Sequence, residues 1–321
     1  MKMKPPRLQK GDEIRVVAPS SSFLRLTDFG IQAAERRLTS LGFNVTYAEH
    51  TIEEDLLGSS SIMSRVKDLH EAFLDVNVKG ILTAIGGFNS NELLPYLDFD
   101  LIKRHPKILC GYSDITALCN AITTKTGLLT YIGPHFSSFQ MDKLQAYQTE
   151  HFQAATMKEQ AFEVFASEAW SQDEWYLPDP KRDLHENEWK VYSQSSPVTG
   201  ICYGGNLGTF QLLFGTRFLP DLKQTILFVE NAEEDDYHDF ARGLASLLQV
   251  VHHPKALLIG RFPKETEMTE ERLLAILNKY PVLREIPVIY DMNFGHTQPI
   301  FTIPIGDKAT VDSMKKTITF F

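Results

Sequence analysis

Short apolar runs alternate with amphipathic stretches along the first 134 residues. IRVVAP (14–19) is a β-rich run that ends at Pro19 and passes into the polar stretch SSSF. Residues 28–41 carry Phe29, Ile31, Ala33, Ala34 and Leu38 at helical spacing, and FNVTYA (43–48) reads as a second strand. Residues 62–77 predict a helix with Met63, Val66, Leu69, Ala72 and Phe73 on one side. GILTAIGG (80–87) is a buried strand stopping at paired glycines, and ELLPYL begins a short helix. KILCGYS is a fourth strand, ITALCNAITTKTG an amphipathic helix closed by Gly127, and LLTYIGP one more strand. Strands alternating with helices in this way predict a parallel sheet covered on both faces. Polar loops rich in glycine or serine follow three strand ends, at SSS, GGFNSN and GYSD, on the edge where open α/β sheets bind ligands.

The texture changes after about residue 140. All three tryptophans and many acids fall in 150–192, which reads as an irregular connector with a helix at its start. VTGICYGGN, a helix around LGTFQLLFG, and TILFVEN (225–231) resume the alternation. A helix is predicted over 237–250, and KALLIGRF and PVIYDMNFG are further strands. The tail TIPIGDKATVDSMKKTITF alternates like a β-hairpin. The expected organisation is an α/β nucleophile domain over 1–150, a connector over 151–192, and a mixed α/β domain over 193–321.

Composition narrows the function classes. The chain has 321 residues, 43% of them hydrophobic and 23% charged, and a net charge of −9. A packed globular protein is expected, and the missing basic face disfavours nucleic acid as a partner. Cys110, Cys119 and Cys202 are an odd number without a C-x-x-C pair, which argues against disulfide frameworks and structural zinc. No stretch approaches the ~20 apolar residues of a membrane span, and the start lacks a run of signal-peptide length. A soluble cytoplasmic protein is expected.

The chemistry centres on ILCGYSDIT (108–116). A strand-to-helix turn needs a small residue, which Gly111 supplies, and the Ser113 hydroxyl then projects above the sheet edge at a helix N-terminus. That is the geometry of a nucleophile elbow, although the motif is G-Y-S-D rather than G-x-S-x-G. The Asp114 N–H would face an oxyanion, and the Gly86–Gly87 turn would offer a second donor. The plainer alternative is that Ser113 or Asp114 caps a helix; both roles can coexist.

A serine nucleophile needs a base and an orienting group. His296, in NFGHTQP, lies in a strand-end loop of the same kind, and His135 follows Gly-Pro beyond another strand as a site-lining candidate. His252 and His253 read as solvated. Glu230 ends the apolar run TILFVE, where a carboxylate needs a partner, whether in catalysis, a salt bridge or a cap. The acids at 233–236 read mostly as a solvated face. No metal motif, Walker loop or G-x-G-x-x-G occurs.

Together, GDEIRVVAPSS, IGGFNSNELLPYLDFDLI, KILCGYSDITAL, TGLLTYIGP, ICYGGNLGTF, ILFVENAEE and FGHTQP resemble the serine LD-carboxypeptidases, across residues 6–306 and in the family's order. That family includes muramoyl-tetrapeptide carboxypeptidases and microcin C immunity peptidases. The resemblance implies a nucleophile at Ser113, an orienting carboxylate at Glu230 and a base at His296. It also implies an N-terminal domain like class I glutamine amidotransferases, a C-terminal domain supplying Glu and His, an interdomain site and a homodimer. Two features depart from or divide the family pattern: V-E-N with Asn231 replaces the usual L-E-D, and GGFNSN looks like the microcin-immunity branch. In that branch an aromatic from the connector stacks on a nucleotide base, which makes Trp175 and Trp189 candidates, with packing as their alternative role.

The implied reaction is amide hydrolysis through an acyl-enzyme, with oxyanion donors at Gly87 and Asp114 and no metal or organic cofactor. The substrate is a small murein-type L,D-peptide or an aminoacyl nucleotide. Asn89, Ser90 and Asn91 are candidate donors for a substrate carboxylate. The rival readings are a non-catalytic two-domain binder of small ligands and, last, an amidotransferase-like enzyme, for which neither Cys110 nor Cys119 occupies the elbow.

Overall fold

The computed structural model describes residues 2–177, 181–251 and 253–321; His252 lies outside the described residues. The strands of the first half are β1 (Glu13–Val17), β2 (Asn44–Tyr47), β3 (Val78–Thr83), β4 (Ile108–Gly111) and β5 (Thr130–Ile132). Those that follow are β6 (Phe162–Val164), β7 (Ala169–Trp170), β8 (His185–Glu186), β9 (Lys190–Ser193), β10 (Val198–Asn206), β11 (Thr225–Glu230), β12 (Ala256–Gly260) and β13 (Val288–Met292). The chain closes with β14 (Ile303–Ile305), β15 (Lys308–Asp312) and β16 (Thr317–Phe320). The helices are α1 (Asp28–Ser40), α2 (Ile62–Leu74), α3 (Phe99–Arg104), α4 (Thr116–Thr126), α5 (Gln145–Met157), α6 (Leu207–Gln211), α7 (Tyr237–Val250) and α8 (Glu270–Leu277).

Two sheets carry the fold. The first has the order β14-β5-β4-β3-β1-β2, parallel from β2 to β5, with β14 antiparallel on β5. The second has the order β6-β16-β15-β10-β11-β12-β13-β9, with β10 to β13 parallel at its centre. Every residue of β4, β11 and β12 is buried, as parallel strands covered on both faces require.

The structure departs from the sequence reading in three places. The amphipathic face expected of α4 is absent. Its residues are buried almost all round because it lies between the layers, touching β5, β10 and α6. The connector is not wholly irregular, since β6 and β9 form both edges of the second sheet. The tail splits: β15 and β16 form the hairpin, but β14 leaves the C-terminal region to pair with β5. The alternating pattern of 303–320 could not show which sheet each strand joins.

Candidate active site

Ser113 follows β4 with φ 58°, a left-handed conformation uncommon for a residue with a side chain. Such strain costs about 1–3 kcal/mol and is retained where the surroundings impose it. Two glycines make the room. A Cβ on Gly86 would stand 2.9 Å from the Ser113 Cβ and Oγ, and a Cβ on Gly111 would collide with the Thr83 hydroxyl. The chain then winds through one 3-10 turn, Ser113–Ile115, into α4.

Glu230 ends β11 with its side chain 3% exposed, and His296 lies in the loop between β13 and β14. His296 Nδ1 is 2.7 Å from Glu230 Oε2, and its Nε2 is 3.0 Å from Ser113 Oγ. Three side chains distant in sequence thus form one hydrogen-bonded line from the second layer to the first. Burial lowers the His296 pKa, but the Glu230 charge and hydrogen bond outweigh it and raise the value to about 9.

The Asp114 carboxylate is spent on structure. It accepts from the Ser20 hydroxyl and from the Ser90 N–H at 2.8 Å, while Ser90 Oγ donates to the Asp114 carbonyl at 2.7 Å. These bonds clamp the Gly86–Gly87 loop to the elbow. Gly87, at φ 152°, lines the cavity beside Ser113 and Asp114. Its N–H has no hydrogen-bond partner among the described residues. The Asp114 N–H lies in the first turn, where helical geometry leaves donors free.

The expected carboxylate donors are placed differently. Ser90 is fully buried and bonded on both its groups. The Asn89 side-chain oxygen accepts from Arg65 at 3.0 Å and Ser59 at 2.9 Å. Asn91 is half-buried in the same 3-10 turn, its carbonyl accepting the Leu94 N–H. This stretch holds loops together; its exposed Phe88 is what lines the cavity.

Two cavities meet at His296. One, about 350 Å³, contains Ser113, Gly87, Asp114, Asn206, Glu233 and Glu234. The other, about 520 Å³, contains Trp175, Tyr176, Lys181, Lys264 and Glu233. The two tryptophan candidates therefore separate. Trp175 lines a cavity, whereas Trp189 is 0% exposed, donates through Nε1 to Asn293 at 2.8 Å and packs on Phe301. Trp189 is a core residue, and stacking on a ligand is corrected to packing. Lys181 and Lys264 escaped the sequence reading, and Glu233 was read with its acidic neighbours as part of a mostly solvated face. Isolated charges in loops carry no periodic signal, and the acids at 233–235 border the site rather than forming only a solvated face.

His135 lies behind the elbow, 2% exposed, with Nδ1 2.7 Å from Thr83 Oγ1 and its ring 4.3 Å from that of Tyr112. Burial, and then the neighbouring His296, push its pKa down to about 3, so it is neutral. Cys110 and Cys119 are fully buried and their thiol pKa values raised by burial, which removes them as nucleophiles. Among the described residues no group of three His, Cys, Asp or Glu gathers as metal ligands, and no helix is long and apolar enough to cross a membrane.

A strained serine under an imidazole, in a cleft between two α/β layers, is the arrangement that serine hydrolases use. Comparison narrows it. Residues 14–133 match the model of the LD-carboxypeptidase N-terminal domain, and residues 199–311 that of the LD-carboxypeptidase C-terminal domain. The chain belongs to this family of serine carboxypeptidases, and the reading as a non-catalytic binder falls. It is 47% identical to YocD of Bacillus subtilis (strain 168) over 97% of this chain and 96% of that one. The crystal structure of an MccF-like protein from Bacillus anthracis str. Ames matches with a TM-score of 0.97, 48% identity and 99% coverage of both chains. The microcin C7 self-immunity protein MccF, solved with aspartyl sulfamoyl adenosine, matches with a TM-score of 0.90 and 28% identity over 98% of this chain and 97% of that one.

Proposed function

We propose that this enzyme hydrolyses an amide bond through a catalytic Ser113–His296–Glu230 relay. The observation that carries this reading is the pair of hydrogen bonds at 3.0 and 2.7 Å that runs across two sheets. His296 Nε2 takes the Ser113 proton as Oγ bonds to the carbonyl carbon. Glu230 holds Nδ1–H and stabilises the imidazolium. The N–H groups of Gly87 and Asp114 receive the oxyanion, each worth ~3 kcal/mol. The C–N bond then breaks, His296 passes its proton to the leaving nitrogen, and water releases the acyl group and restores the serine. No metal or organic cofactor enters this sequence.

The substrate favoured is an aminoacyl nucleotide rather than a murein L,D-peptide. Trp175 and Tyr176 offer aromatic faces to a base, and Lys181 and Lys264 offer cations to a phosphate or sulfamoyl linkage, in the cavity that His296 borders. The MccF complex with aspartyl sulfamoyl adenosine supports that choice by relation. The division into a nucleophile domain and a Glu/His domain, the likeness to glutamine amidotransferases, the homodimer and the cytoplasmic setting belong to the same proposal on the family resemblance.

A side-by-side assay tests the function. Aminoacyl-sulfamoyl adenosine should be cleaved with a higher kcat/KM than a murein tetrapeptide, and a serine-directed phosphonate should add its mass to Ser113. Faster release of D-alanine would reverse the substrate choice. An unlabelled Ser113 would remove the relay.

A further inference from the structure

The His296 imidazole is gripped at two points. Glu230 meets Nδ1 at 2.7 Å and Ser113 meets Nε2 at 3.0 Å, and the two nitrogens define a line through the ring. Two grips leave tilting about that line free. A tilt carries both bonds out of the ring plane, where the N–H and the lone pair lie, and weakens them. The space around His296 does little to prevent this, because both cavities border it. A contact off the line is needed to fix the plane.

Tyr112 makes that contact. Its ring lies edge-on to His296, with centroids 5.4 Å apart and planes at 61°. On its other side it lies against His135, with centroids 4.3 Å apart and planes at 31°. His135 is 2% exposed and bonded to Thr83 at 2.7 Å. A Cβ on Gly111 would stand 3.1 Å from His135 Nδ1, and one on Gly86 3.6 Å from Nε2, so the imidazole fills the space under the elbow. The Tyr112 carbonyl accepts the Ile115 N–H at 3.1 Å, which ties its backbone into the turn that carries Ser113. A column therefore runs from Thr83 on β3 through His135 and Tyr112 to His296. The phenol end lies toward Ser138 and Gln298, but Ser138 Oγ and Gln298 Oε1 have no hydrogen-bond partner among the described residues. The ring, not the hydroxyl, is what Tyr112 brings to His296. Tyr112 lines neither cavity.

We propose that Tyr112 is a positioning residue for the base: its ring, backed by His135 and Thr83, sets the plane of the His296 imidazole so that Nε2 stays aimed at Ser113 Oγ. The inference rests on the relay proposed above and adds a side chain that reaches the reaction only through His296.

The test compares Tyr112→Leu, which removes the ring, with Tyr112→Phe, which keeps it. Labelling of Ser113 by a serine-directed phosphonate is timed for each, because it uses the same base and needs no knowledge of the substrate. Tyr112→Leu should slow labelling and lower kcat by about 10-fold, with KM changed by about 2-fold or less. Tyr112→Phe should stay within about 2-fold of the parent in all three. The downfield proton NMR line of His296 Nδ1–H should remain sharp in Tyr112→Phe and broaden in Tyr112→Leu. Leu247→Ala, in the core of α7, controls for lost stability: it should lower the unfolding temperature and leave the labelling rate unchanged. If Tyr112→Leu does not fold, Tyr112→Met takes its place in the same comparison. Labelling at the parent rate without the ring, a loss in Tyr112→Phe as large as in Tyr112→Leu, or equal slowing in Leu247→Ala overturns the proposal. Each of these, with Ser113 of the parent enzyme labelled, leaves the relay standing. A parent enzyme whose Ser113 takes no phosphonate overturns the relay and this inference with it.

Discussion

His296 ties the site to pH. As the proposed base it must be neutral, yet Glu230 holds its pKa at about 9 against burial. The kcat/KM of the free enzyme should therefore climb through neutral pH and level off only near pH 9, as a rate profile from pH 6 to 10 would record. The stability sign runs the other way. The folded pKa lies above the usual histidine value, so the stabilisation is full below about pH 6.5 and fades as pH rises through 9. Glu230→Gln removes the charge and leaves burial dominant. The rise in its profile should move to lower pH while kcat drops about 10³–10⁴-fold; an unmoved profile would mean that Glu230 does not set the base. Ser113→Ala should lose about 10⁴-fold or more of kcat while keeping ligand affinity, read by single-turnover kinetics and calorimetry. His135 predicts acid sensitivity of a different origin. Its folded pKa of about 3 means that the unfolded chain binds a proton the folded one refuses. Between pH 7 and 4 this should cost roughly 3 kcal/mol in urea unfolding, and His135→Gln should remove much of that loss.

The strand-to-helix elbow is the element on which the proposed chemistry depends, and its shape comes from neighbours rather than from its own residues. Gly86→Ala places a methyl 2.9 Å from Ser113 Oγ, in a loop clamped to the elbow through Ser90 and Asp114. Its kcat should fall by 10²-fold or about that, with a smaller effect on KM, because a displaced hydroxyl loses attack geometry before it loses binding. Equal kcat would show that the loop yields freely. The position of this elbow was legible in the sequence. ILCGYSDIT encodes a buried strand, a glycine bend and a helix start, and the order of strands and helices up to β5 follows from periodicity alone. What escaped was whatever depends on a distant partner. Nothing local in GYSD encodes the left-handed φ of Ser113. The side chains of Asn89 and Ser90 look free until Arg65 and Asp114 are brought to them. Trp175 and Trp189 share one composition-biased segment, and only the fold puts one at a cavity and the other in the core.

At the scale of the whole molecule, the proposed nucleophile stands on one layer and its proposed base and orienting acid on the other, so the relay needs an interface as stiff as the site. Two connections supply that stiffness. Strand β14 leaves the loop that carries His296 and pairs with β5 in the first sheet. Helix α4 reaches the other way. The Asn120 side chain donates to the Gly204 carbonyl at 2.8 Å and accepts the Gly204 N–H at 3.2 Å, while Thr116 Oγ1 accepts the Asn206 N–H at 3.0 Å. Asn206 lies opposite Glu230 in the β10–β11 register, so the helix that begins just beyond Ser113 is bonded to the strand beside the one that carries Glu230. Asn120→Leu keeps the number and branching of side-chain heavy atoms but leaves a buried N–H and a buried carbonyl of Gly204 unpaired. At about 1–3 kcal/mol per group the variant should lose roughly 2–6 kcal/mol of stability. Because the layers are joined at both β14 and α4, calorimetry should still record one cooperative transition, shifted to lower temperature. Its kcat should fall by about 10-fold or more while KM changes little, since the loss lies in the alignment of Ser113 with His296 rather than in either cavity. If the variant melted in two steps, or kept full kcat despite the lower transition, the two layers would be independent and the relay would owe its geometry to the β14 connection alone.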